Sequence, residues 1–77
     1  MTKKEKRLIA FTEKLYNKAM SALNDDRPND ARAYYNELRT VINLAKYLGM
    51  NDIADNAFDL AIKFKAEYDK RRKGESL

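Results

Sequence analysis

The chain has 77 residues, 44% of them hydrophobic and 36% charged, a net charge of +4, and neither His nor Cys. That length holds one small domain, and the missing residue types exclude a zinc finger, a Cys or His nucleophile and a disulfide framework. The longest unbroken apolar run, Leu8 to Phe11, is four residues, too short for a membrane span or a secretory signal, so a cytoplasmic chain is expected.

The first helix is predicted over about 4–23. At 100° per residue, Leu8, Phe11, Leu15, Ala19 and Ala22 share one narrow arc. Ile9, Tyr16 and Met20 form a second stripe, rotated away from the first. The polar stretch from Asn24 to Asn29 holds the only Pro and separates two helices.

The second helix is predicted over about 30–48, with Asn29 or Asp30 as its N-cap. Ala31, Tyr34, Tyr35, Leu38, Val41, Ile42, Ala45 and Leu48 recur at i, i+3, i+4 and i+7, the strongest periodic signal in the chain. Tyr47 points away from that face. Gly49 stands where a left-handed residue closes a helix.

The third helix is predicted over about 52–71, capped by Asn51, with Asp52 and Asp55 at the positive end of its dipole. Ala54, Ala57, Phe58, Ala61, Phe64 and Tyr68 make its inner face. Ile53 and Leu60 flank that face on one side, and Ile62 on the other. Gly74 is expected to release a short tail. No stretch alternates with period two, so no strand is expected. Short links between helices imply antiparallel neighbours. The expectation is a single all-α domain over 1–77, a compact antiparallel three-helix bundle with short basic ends.

Residues 35–68 span the length of one tetratricopeptide repeat. Gly49, Ala54, Phe58 and Ala61 match the later half of that repeat, in which Gly makes the turn, Ala permits close approach and Phe wedges between the helices. The segment resembles a single tetratricopeptide hairpin. The earlier signature positions hold Leu38, Val41, Ile42 and Ala45, which keep only its apolar character, and Ala66 replaces the closing Pro. With no second copy upstream, the first helix has to close the core. The whole is then similar to three-helix bundles of the microtubule-interacting-and-transport type. That resemblance implies a peptide-binding architecture and carries over no binding residue.

Chemistry is sparse. Two Gly residues 25 positions apart cannot form a phosphate loop. Asp52, Asp55 and Asp59 read as a solvated acidic face, and no metal, cofactor or enzymatic activity is expected. A helix-turn-helix reading founders on Asp55, which falls where an apolar residue belongs, and on acids that would face phosphate. Basic residues gather at the two ends, Lys3, Lys4, Lys6 and Arg7 at one and Lys70, Arg71, Arg72 and Lys73 at the other. Residues 8–69 hold eight basic and ten acidic side chains.

The leading expectation is therefore a non-enzymatic protein-interaction module: an adaptor, an inhibitor, or an accessory factor of a larger machine, of phage or mobile-element type. Its expected contacts are Ile9, Tyr16, Met20, Tyr47, Ile53 and Leu60, toward a protein partner or a second copy. The alternative is a nucleic-acid-associated regulator that uses the eight basic end residues.

Overall fold

A computed structural model of the chain describes residues 2–75, and side chains from residue 2 to residue 72. It contains α1 (Lys3–Asn24), α2 (Pro28–Tyr47) and α3 (Asn51–Glu75), and each helix packs against both others. This is the expected all-α three-helix bundle, 46 × 17 × 15 Å in extent. No strand occurs among the described residues.

Each helix boundary has a local cause. Thr2 and Glu5 form a reciprocal capping box: the Glu5 amide donates to Thr2 Oγ1 at 3.1 Å, and the Thr2 amide donates to Glu5 Oε1 at 3.4 Å. The Thr-x-x-Glu spacing satisfies two otherwise free amides and starts α1 one residue before the expected Lys4. Helix α2 opens on Pro28, not on a capping Asn29 or Asp30. Proline has no amide to leave unpaired and a φ already suited to a first turn. Asn29 and Asp30 instead hold Arg32 (2.9 Å) and Arg27 (3.1 Å) by side-chain bonds. Asn51 is likewise the first helical residue of α3 rather than its cap, because Met50 supplies the carbonyl that the Ala54 amide reaches at 3.0 Å. At its far end α3 runs through Gly74 to Glu75, past the expected stop near Arg71. A glycine in a terminal turn costs only about 1 kcal/mol of helix propensity.

The core forms two joined clusters. The first contains Leu15, Leu38, Ile42, Ala45, Ile53, Ala54, Ala57 and Ala61. The second contains Ala19, Ala22, Leu23, Ala31 and Phe64. Phe64 stacks on Tyr35 at 5.2 Å and meets Tyr68 at 5.9 Å. Alanines at most contact points allow close helix approach, and the few large side chains fill what remains.

Three residues expected inside are not. Phe11, Leu48 and Phe58 are each about half exposed. On α1 the inward face turns from Phe11 to Thr12, which is fully buried with its hydroxyl donating to the Ile9 carbonyl at 2.7 Å. That bond satisfies the hydroxyl within its own helix, so burying it leaves no unpaired group. Phe58 lies beside α2 under the Lys46 ammonium, 5.8 Å from its ring centroid, instead of wedging between helices.

Candidate functional site

The expected partner stripe is spent on packing. Ile9 and Leu60 are half-buried against the first core cluster, and Tyr16 and Met20 against the second. Ile53 is 2% exposed, so its expected role as a surface contact is corrected: it is core. The physical reason is volume. Ala54, Ala57 and Ala61 leave space under α3 that the neighbouring Ile53 and Leu60 fill, widening the inner face beyond the narrow arc. Tyr47 alone of the six stands free, at 88% exposure.

Exposed apolar side chains lie elsewhere: Phe58 and Ile62 form a pair on α3, and a larger group gathers beside α1 and α2. Phe11 (46% exposed), Leu44 (53%) and Leu48 (58%) line a shallow trough of about 400 Å³ between α1 and α2, with Leu8 and Met50 at its base. Lys4 and Arg7 form its rim. Two turns place it. Gly49, with φ +77°, reverses the chain so that Met50 returns beneath Leu48. The four-residue step from Leu44 to Leu48 sets both on one flank of α2. Tyr47 lies outside the trough and faces solvent. Single exposed apolar residues are ordinary, but a contiguous group at one place is not. Covering what remains open on Phe11, Leu44 and Leu48 returns about 1 kcal/mol apiece. The group is thus an anchor and needs further contacts along the helices to hold a partner.

Charge is arranged by groove. Lys4, Arg7, Phe11, Lys14 and Lys18 recur at three- and four-residue steps along α1, on the flank facing α2. The Lys18 ammonium lies 5.7 Å from the Tyr34 ring centroid, so the row also meets α2 at this end. Among the described residues none of these four cations belongs to an ion pair; the salt bridges are at Arg27, with Asp25 and Asp30, and at Arg71, with Glu67. On the other side of α2, Arg32, Arg39 and Lys46 stand seven residues apart. There Arg32 and Arg39 share a second open groove with Lys65, Arg72 and Asp69. The Arg39 guanidinium lies 5.9 Å from the Tyr35 ring, and that of Arg72 5.8 Å from the Tyr68 ring. The fold thus sets cations of both chain ends beside cations of the body: Lys4 and Arg7 on the α1 side of α2, and Arg72 with Arg32, Arg39 and Lys65 on the other.

The basic ends are far apart. Lys3, Lys4, Lys6 and Arg7 lie at the start of α1, and Lys70, Arg71 and Arg72 near the end of α3, beside the α1–α2 turn. About 30 Å of helix separates the two groups. Arg71 is a structural latch: it donates to the Leu23 carbonyl at 3.2 Å, to Asn24 Oδ1 at 2.6 Å and to Glu67 Oε1 at 3.1 Å. The Lys73 side chain lies outside the described residues.

No helix among the described residues is long and apolar enough to cross a membrane. No protein-family model matches the chain, and no match exists among the curated proteins or the solved structures compared with it.

Proposed function

We propose that the chain is a non-enzymatic protein-interaction module that works through the trough between α1 and α2. The observation that carries this reading is the contiguous exposure of Phe11, Leu44 and Leu48 on a bundle whose core is already closed by other residues. Such side chains give a partner anchors without being required for folding. An adaptor, an inhibitor or an accessory factor of a larger machine fits a chain of this kind, since each acts by occupying a surface. The α2–α3 pair is read as a tetratricopeptide-like hairpin, supported by the left-handed Gly49 at its turn and by buried Ala54 and Ala61 along its contact.

The test starts with recovery of the partner from a lysate of the source cell with nuclease present. The purified pair is then reassembled with wild-type protein and with Leu44→Glu. At least a tenfold loss of affinity for the variant is expected. Undiminished affinity, or recovery that depends on nucleic acid, contradicts the reading.

A second reading, a nucleic-acid-associated regulator, draws on Arg32, Arg39, Lys65 and Arg72 around one groove. It predicts a steep fall of affinity with salt. Charge reversal at Arg39 and Lys65 should abolish such binding, while charge reversal at Lys4 and Arg7 should not.

A further inference from the structure

We infer that the occupant of the α1/α2 trough is an acidic amphipathic helix of a partner protein; this rests on the interaction-module reading above and deepens it. Three observations converge. First, the trough is a groove between two helices. Helix α3 fills the opposite groove of the same pair, so a helix laid into the free one completes a four-helix arrangement. Second, the floor is apolar where Phe11, Leu44, Leu48 and Met50 meet, which suits residues spaced i, i+3 and i+7 on the incoming helix. Third, Lys4 and Arg7 line the trough on its α1 side, and by helix spacing the same row continues through Lys14 and Lys18, none in an ion pair among the described residues. The α2 wall, read at the same spacing, is Glu37, Val41, Leu44 and Leu48, with a single acid. From Lys4 to Lys18 the row extends roughly 21 Å, about four helical turns. A helix lying parallel to α1 shares its rise, so Asp or Glu at matching steps meets each cation.

Charge also decides against the other occupants. A second copy would bring another four cations into the same interface, with only one further Glu37 to offset them. Nucleic acid would meet the cations and leave Phe11, Leu44 and Leu48 against a hydrated backbone.

The test is selection of a displayed library of 20-residue helical peptides against the full chain at physiological salt. Affinities are then measured for the wild type, Leu44→Glu, Leu48→Ser and Lys14→Glu/Lys18→Glu, each checked first for unchanged helicity and thermal midpoint. The expected result is a selected set with an apolar stripe flanked on one side by Asp and Glu. Its affinity should fall at least tenfold in Leu44→Glu and in Lys14→Glu/Lys18→Glu, and exchanging Glu for Lys in the peptide should restore binding to the charge-reversed protein. Peptides that need Leu44 but show no acidic bias and ignore the Lys reversal overturn the acidic-helix inference and leave the interaction reading standing. Peptides indifferent to both Leu44→Glu and Leu48→Ser, or no enrichment at all, overturn both. A dimer in sedimentation equilibrium that Leu44→Glu dissolves assigns the trough to a second copy and overturns the inference. So does Leu44-dependent binding to phosphatidylserine vesicles, which assigns it to a membrane surface.

Discussion

Asp26 and Gly49 occupy equivalent places in two successive helix-ending turns. Both are left-handed, with φ of 61° and 77°. Around Asp26, its own amide donates to the Leu23 carbonyl at 3.2 Å and the Arg27 amide to the Ala22 carbonyl at 2.8 Å. Around Gly49 the same pair recurs, to Lys46 at 3.1 Å and from Met50 to Ala45 at 2.8 Å. Both are Schellman closures, and both reversals in the bundle depend on one residue with positive φ.

A difference between the two turns follows. Gly49→Ala should cost about 1 kcal/mol, because a Cβ disfavours the left-handed region even where nothing else is near. In a domain of this size that lowers the thermal midpoint by about 4–8 °C. Asp26→Gly should stay within about 0.5 kcal/mol of wild type, as relief of the strained φ offsets the extra unfolded-chain entropy of glycine. Urea titration of the two variants measures the contrast.

The Arg71 latch is testable by its geometry. Its planar fork reaches the Leu23 carbonyl, Asn24 and Glu67 together, which a single ammonium cannot reproduce. Arg71→Lys and Arg71→Ala should therefore lose similar stability, about 1 kcal/mol after allowing for partial solvent screening. Full retention of stability in Arg71→Lys would show that charge alone holds the end of α3.

The core prediction separates packed residues from free ones. Phe64→Ala should cost about 3–5 kcal/mol and Ile53→Ala about 2–4 kcal/mol, since both remove nearly inaccessible side chains. Tyr47→Ala should be silent. Hydrogen exchange alongside denaturant midpoints distinguishes global loss from fraying of the α3 start.

The helices and their order were legible because period 3.6 dominates and only two glycines and one proline interrupt it. Gly49 at the second turn was legible for the same reason. The α1 capping box was present as Thr2 and Glu5 but lies ahead of the apolar pattern, where periodicity gives no warning. The inward face was harder. One residue is 100° of helix, so choosing Phe11 over Thr12 moved the expected face of α1 off its true centre. A threonine that bonds its own helix carbonyl behaves as a small core residue, which hydropathy does not register. The trough was hidden by the same step. Ile9, Tyr16 and Met20 resembled a spare stripe only while the core was assigned to Phe11. Once Thr12 faces inward, that stripe packs against the two core clusters and Phe11 joins Leu44 and Leu48 outside.

The central claim is that the α1/α2 trough is a working surface and not an underfilled piece of core. Its most direct test is the double variant Phe11→Ser/Leu44→Ser, measured for urea stability and for affinity toward the purified partner. The predicted result is a stability loss below about 2 kcal/mol, the share of Phe11 and Leu44 already covered in the bundle, with affinity reduced at least tenfold. Stability lowered by more than about 2 kcal/mol, or affinity unchanged, would contradict the claim.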